Sequence, residues 1–331
     1  LNGDQWPDLF IGGRVIPGQY PSTPNSFVLQ NTGKGTFIDV SSKFPSLQHV
    51  GMVSDAASAD LNQDGKSELI VVGDFMPIHV FTMQSNQVRD VTDTYFEQSP
   101  HGFWNKILVE DLNQDGKPEL LLGNVGSNTP WRASEKEPME LYGKDIDGNG
   151  SIDPILTHYV QGKKVPFMTR DELLDQISLM RTRFTDYQSF AEAEFKDIFT
   201  EDELKDAPIL HVNQLKTTLF KLGKSGKFES VLLPQEVQQS PVFTIQVLDF
   251  NGDGKKDLLL CGNMVQSKLR VGRMDANYGL LLQGNGQLGF SVIPQRRTGL
   301  WLKGDVRSVL FDGKSWLFGI NQVGIQSYKI Q

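Results

Sequence analysis

The 331-residue sequence holds a single cysteine, Cys261, so no disulfide can form within the chain. Cys261 ends the apolar run LLLC, which suits a small buried residue of a strand better than a reactive thiol, because no neighbour would lower its pKa. No stretch approaches about 18 consecutive apolar residues, which excludes a membrane-spanning helix. There is no run of basic residues, and the formal net charge is -8, so nucleic acid and anionic membrane are poor partners. Three Gly-Lys-Ser tripeptides begin at Gly65, Gly223 and Gly313. Five residues before each stands Asp60, Thr218 or Ser308, where a phosphate-binding loop needs glycine. The histidines (His49, His79, His101, His158 and His211) show no paired spacing for zinc, and no nucleophile elbow is present.

What the sequence does have is a repeat. Asp60 to Leu69 reads DLNQDGKSEL, Asp111 to Leu120 DLNQDGKPEL, Asp145 to Pro154 DIDGNGSIDP and Asp249 to Leu258 DFNGDGKKDL. A truncated copy opens the chain, with Asn2, Asp4 and Asp8 at its third, fifth and ninth positions. Most copies are followed by a short apolar run closed by glycine, such as LIVVG at 69–73 and LLLG at 120–123, the pattern of a strand buried on both faces. Glycine-rich hairpin signals follow at 27–40, 218–232 and 280–293. A strand, a loop, a strand and a hairpin make a four-stranded unit that cannot bury both its faces alone, and radial packing of several such units solves this. The expected fold is all-β: a single β-propeller domain over residues 1–331, with about six (five to seven) four-stranded blades. The spacing becomes irregular between the copies at 111, 145 and 249. In that gap, residues 169–207 carry three capping boxes, Thr169 with Glu172, Thr185 with Gln188 and Thr200 with Glu203, and an apolar stripe of Leu173, Ile177 and Met180. They predict short helices inserted within a blade.

Oxygen donors at alternate positions, a glycine at the sixth and a carbonyl at the seventh form the first part of an EF-hand calcium loop. The same chemistry assigns Asp60, Asn62, Asp64, the Lys66 carbonyl and Glu68 as ligands. The other sets are Asp111, Asn113, Asp115, Lys117 and Glu119; Asp145, Asp147, Asn149, Ser151 and Asp153; and Asp249, Asn251, Asp253, Lys255 and Asp257. An EF-hand needs Glu at position twelve, and the residues there are Val71, Leu122, Leu156 and Leu260. The acid at position nine therefore closes the site, and the chain enters a strand. Twelve carboxylates in four small loops would repel one another without cations, and about four Ca²⁺ ions would offset the formal charge of -8.

The DxNxDGxxEL repeats resemble the FG-GAP or VCBS repeats of integrin-α-like propellers. The segments GGRVIPGQYP at 12–21, YGKDIDGNGSIDPIL at 142–156, TRDELLDQ at 169–176 and GRMDANYGLLLQGNG at 272–286 are similar to bacterial VCBS proteins associated with ASPIC/UnbV domains. The resemblance implies an exported protein, extracellular, cell-surface or periplasmic, with calcium in a structural role. The final unit, Asp305 to Gln331, departs from the pattern because DGKSW lacks the full motif. The opening at Leu1, without Met, reads as the interior of a longer precursor whose other domains are possible partners. A protein or carbohydrate ligand is the expected partner, and the loop Asn124–Arg132, with Asn128, Trp131 and Arg132, is the candidate contact. Trp6, Tyr20, Trp104 and Trp301 are further aromatic residues outside the strands. The rival expectation is a polysaccharide lyase or hydrolase working on the propeller face, since a propeller can juxtapose two distant acids.

Overall fold

Runs such as LIVV at 69–72 and LLL at 120–122 are apolar at every position, so strands built from them must be covered on both faces. The computed structural model, which describes residues 4–84 and 87–329, arranges them so. The first sheet holds β1 (Leu9–Ile11), β2 (Phe27–Asn31) and β3 (Phe37–Asp39). The second holds β4 (Met52–Ala59), β5 (Glu68–Pro77), β6 (His79–Gln84) and β7 (Gln87–Asp90), and β8 (His101–Phe103) pairs with the far end of β5. The third opens with β9 (Lys106–Glu110) and β10 (Glu119–Gly123), and there the chain departs. It builds a separate sheet from β11 (Met139–Lys144), β12 (Asp153–Val160), β13 (Lys163–Pro166) and β14 (Ile209–Val212), in the order β13-β12-β11-β14. The chain then returns to complete the third sheet with β15 (Thr218–Leu222), which pairs with β10, and β16 (Phe228–Val231). The fourth sheet is β17 (Val242–Leu248), β18 (Asp257–Gly262), β19 (Leu280–Gly284) and β20 (Phe290–Val292). The fifth is β21 (Val306–Phe311), β22 (Ser315–Ile320) and β23 (Gly324–Lys329). The described strands thus form six antiparallel sheets in an all-β, propeller-like array.

The six sheets match the number of units read from the sequence, but one of them lies inside another's blade. This accounts for the irregular spacing: the copy at Asp145 belongs to the excursion between Gly123 and Thr218. Among the five stacked sheets, β4 lies beside β9, β9 beside β17 and β17 beside β21, so the leading strands line the inside of the array. The period-two geometry of a strand divides each apolar run between two interfaces. Ile70 and Val72 pack with Leu120 and Leu122 between sheets two and three, whereas Val71 faces Val28 and Leu47 of the first sheet's side. Leu121 joins Leu258 and Leu260 between sheets three and four, while Leu259 and Cys261 face Phe318 and Ile320 of the fifth. Cys261 is fully buried, and burial pushes its thiol up to about 12, so it is inert packing.

Within the excursion, short helices at Arg170–Gln176, Tyr187–Glu192, Phe195–Ile198 and Glu201–Leu204 lie between β13 and β14. Leu173, Ile177 and Met180 are completely buried against Tyr142 and Ile155 of the sheet. Two of the three expected capping boxes form, at Thr169–Glu172 and Thr200–Glu203. At the third, Asp186 displaces Thr185 as the cap, its carboxylate accepting from the Ser189 N–H at 2.8 Å. A carboxylate is a stronger acceptor than a hydroxyl and favours the positive end of the helix.

Strand alternation gives the array two unlike ends. Connections from first to second strand and from third to fourth emerge at one end, and these include the Asp60, Asp111 and Asp249 repeats. Connections from second to third strand emerge at the other. There lie the long segments 124–217 and 263–279, and also 12–26, because β1 follows the truncated repeat and so matches the second strand of the other sheets, while the equivalents in sheets two and five shrink to Ile78 and to 321–323.

Candidate metal centres

In every full copy of the repeat, the ninth-position acid is the first residue of the outgoing strand: Glu68 of β5, Glu119 of β10, Asp153 of β12 and Asp257 of β18. All four are buried. Each reaches back across its loop and accepts the N–H of position two: Leu61 to Glu68 at 2.9 Å, Leu112 to Glu119 at 2.8 Å, Ile146 to Asp153 at 3.0 Å and Phe250 to Asp257 at 2.8 Å.

The remaining side chains fold the loop inward by one recurring scheme. The first acid accepts from the N–H groups of positions five and six. Asp60 takes those of Asp64 and Gly65 at 3.1 and 2.8 Å, and Asp111 those of Asp115 and Gly116 at 3.0 and 2.8 Å. Asp145 takes those of Asn149 and Gly150 at 3.0 and 2.8 Å, and Asp249 those of Asp253 and Gly254 at 3.1 and 2.9 Å. Position three, which is Asn62, Asn113, Asp147 or Asn251, also accepts from the N–H of position five. Position five, Asp64, Asp115, Asn149 or Asp253, then accepts from the seventh, at Lys66, Lys117, Ser151 or Lys255. Such tight winding needs left-handed backbone at the sixth residue, and Gly65, Gly116, Gly150 and Gly254 adopt φ of 77° to 89°.

The result is a knot of oxygen acceptors, and oxygen-only donors suit a hard divalent cation. In the excursion, one oxygen each from Asp145, Asp147 and Asp153 lies within 4.8 Å of the others. Carboxylates packed this closely resist ionising together. Burial first, then the charges of Asp115 and Asp111, push Glu119 up to about 7. Burial, with neighbouring loop acids behind it, also raises Glu68 and Asp153 above the usual carboxylate range. A bound cation relieves that repulsion, so the donor set fits one.

Some features carry no signal in the sequence. At the fourth position Gln63 and Gln114 take left-handed φ of 62° and 61°, which turns their side chains across the gap to the next blade. The Gln63 amide donates to the Gly116 carbonyl at 2.6 Å, and that of Gln114 to the Gly254 carbonyl at 3.2 Å, linking the loops of sheets two, three and four. Lys256 adds a bond to the Asp111 carbonyl at 2.8 Å. Tyr95 stands over the first loop beside Asn62. Burial, with the charges of Glu68 and Asp64, pushes its phenol up to about 12.

The truncated first copy keeps part of the scheme. Asp8 accepts from Asn31 N–H at 2.8 Å, as Asp257 does from Gly284 N–H, while Asn2 lies outside the described residues. The departing DGKSW segment is a tight turn in which Asp312 accepts from Lys314 and Ser315 N–H.

The candidate ligand loop is held by contacts of its own residues. Asn128 is tied to the Gln239 carbonyl at 3.1 Å, and Arg132 folds onto the carbonyls of Thr129 and Trp131. Trp131, within the excursion, is half-buried, its ring 5.3 Å from Phe103 of the second sheet and 6.3 Å from Phe167.

A family profile described as FG-GAP-like repeat matches residues 1–71 and 60–122, a span that takes in the Asp60 and Asp111 loops. The chain carries FG-GAP-like repeats. The Asp249 copy, outside that span, has the same hydrogen bonds and the same buried ninth acid, so the FG-GAP-like geometry extends to it. The chain is also similar to cartilage acidic protein 1 of Xenopus tropicalis, 26% identical over 166 residues. That match covers 41% of this chain and 25% of the relative, so the chain spans about a quarter of that protein's length.

Proposed function

We propose that the chain is an exported, non-enzymatic binding module: one propeller-like domain whose FG-GAP-like loops hold about four Ca²⁺ ions, one each. The end remote from the three propeller loops would recognise a protein or carbohydrate. Calcium suits the loops better than magnesium because it accepts six to eight oxygen ligands in irregular geometry. The observation that carries the reading is the division of the array into two ends. One is tightly wound and rich in carboxylates, and the other gathers every long connection, 12–26, 124–217 and 263–279. Rigid sheets that present long loops at one end are a common basis for recognition. Similarity to a protein named for cartilage supports a role outside the cell.

A glycan and protein array, paired with assays for released products, tests this. Retention of a ligand without turnover is expected, lost when 263–279 is replaced by a short turn. Release of cleaved product from a retained glycan would instead make the protein an enzyme.

The metal assignment has its own signature at Glu119. A carboxyl held up to about 7 in the folded state keeps a proton that the unfolded chain, ordinarily near 4.5, has lost. Its contribution is therefore favourable at low pH and disappears as pH rises through about 7. Glu119→Gln mimics the protonated acid. In EGTA at about pH 8 the variant is expected to be more stable than the wild type, with the gap closing as pH falls below about 7. In saturating calcium the order should reverse, because an amide is the poorer ligand. Urea unfolding in the two buffers checks this, and a substitution equally destabilising in both would remove calcium from this loop.

A further inference from the structure

Two histidines from distant parts of the chain meet where the excursion rests on the second sheet. His101 opens β8 and His211 sits in β14, and their rings stack with centroids 3.8 Å apart and 23° between the planes. With His49 and Asp74 they line a cleft of 240 Å³. The backbone bonds that moor the excursion lie at the same point. The N–H groups of Asn213 and Gln214 both donate to the His101 carbonyl, at 3.0 and 2.9 Å, and His101 N–H donates to Asn213 Oδ1 at 2.9 Å. The Nδ1 atom of His101 is buried with no hydrogen-bond partner. Such a stack holds while the rings are neutral, because two imidazolium rings face to face would set like charges against each other with little water between them.

We propose that the His101–His211 stack is an acid-released latch: neutral, it holds β14 of the excursion against the second sheet; protonated, it frees β14 from the cleft.

The surrounding groups supply no counterion that would spoil this behaviour. Asp74 is engaged by Arg14 at 2.9 Å. His79, on β6, is bonded to Asp90 at 3.0 Å and adds a further unfavourable charge when protonated. Glu140, the register partner of His211, is held by Lys164 and accepts the Tyr142 hydroxyl at 2.8 Å. His49 is exposed across the cleft. Burial, with His211 and His79 behind it, lowers His101 from 6.5 to about 4. Freed from the seam, the ring returns toward 6.5 and binds a proton that the docked form refuses. Docking is thus strongest above about 6.5 and weakens as pH falls toward about 4, by up to about 300-fold from this residue alone. The latch concerns the seam and holds whether or not the far end binds a glycan or a protein.

Amide hydrogen exchange in saturating calcium tests it. After correction for intrinsic chemistry, peptides over 209–214 and 101–104 are expected to exchange about 40-fold faster at about pH 4.5 than at about pH 6.5. Peptides of the fourth sheet should stay protected, which separates release of the latch from general loss of metal. The double variant His101→Phe with His211→Phe keeps stacked rings that cannot ionise and should remain docked throughout. Seam peptides that stay protected in the wild type at about pH 4.5, or that open equally in the variant, would overturn the proposal. Should the double variant fail to fold, His211→Phe alone removes the like-charge pair, and the wild-type titration still decides.

Discussion

Removing calcium with EGTA is expected to lower the melting temperature by about 15 °C. An ion bound at a concentration about a hundredfold above its dissociation constant stabilises the folded state by about 2.7 kcal/mol. Four such loops together contribute about 10 kcal/mol, and with about 2.1 cal/mol/K of unfolding entropy per residue a 331-residue chain loses roughly 1.5 °C for each kcal/mol. The effect should be large because the loops cannot simply relax when empty. Their acids are packed inward by hydrogen bonds from their own backbones, and Glu68, Glu119, Asp153 and Asp257 lie buried at the strand entrances. Calorimetry with calcium, with EGTA and with magnesium in place of calcium is the direct measurement, alongside elemental analysis for about four ions per chain. A shift below about 5 °C, or empty loops under saturating calcium, would refute the structural role of the metal.

The second large effect is expected at Asp257. Its Oδ2 accepts Phe250 N–H and its Oδ1 accepts Gly284 N–H, both at 2.8 Å. One carboxylate thus ties the repeat loop to β18 and to the neighbouring strand β19. Asp257→Ala removes two charge-assisted bonds and leaves two backbone donors without a partner, that of Gly284 buried and that of Phe250 partly so, a loss of roughly 3–5 kcal/mol. Asp257→Asn preserves one acceptor oxygen, so it should lose less without calcium than the alanine variant. Urea unfolding of both variants, with and without calcium, separates the two contributions. An alanine variant within about 1 kcal/mol of the wild type would show that this carboxylate holds neither strand nor ion.

Much of this architecture could be anticipated because it is local. Alternating donors, a sixth-position glycine and an immediately following apolar run fix the loop, the turn and the strand within about ten residues, and Thr169 and Thr200 cap their helices as their sequences predict. Strand partnership is different. Nothing in the residues of β10 states that its partner is β15 rather than β11, because the choice depends on packing of both faces against sheets two and four. The short interval between Asp111 and Asp145 was the trace of the excursion, and it fixed neither where the chain leaves nor where it returns. Trp131 shows the same limit at the scale of one side chain. A tryptophan in a polar loop looks available to a ligand, but Phe103 and Phe167 come from remote segments to cover it. His101 and His211, separated by more than a hundred residues, carry no mutual signal in the sequence and meet only because β8 and β14 do.

The glutamines at the fourth position of two loops have a consequence for how ions would bind there. Gln63 leans on the carbonyl of Gly116, and Gln114 on that of Gly254, so each amide spans from one blade to the turn of the next. An occupant that stiffens any one of these three turns also steadies the foothold its neighbour uses. That rim should therefore fill as a concerted group, while the Asp145 pocket, carried on the excursion, fills on its own terms.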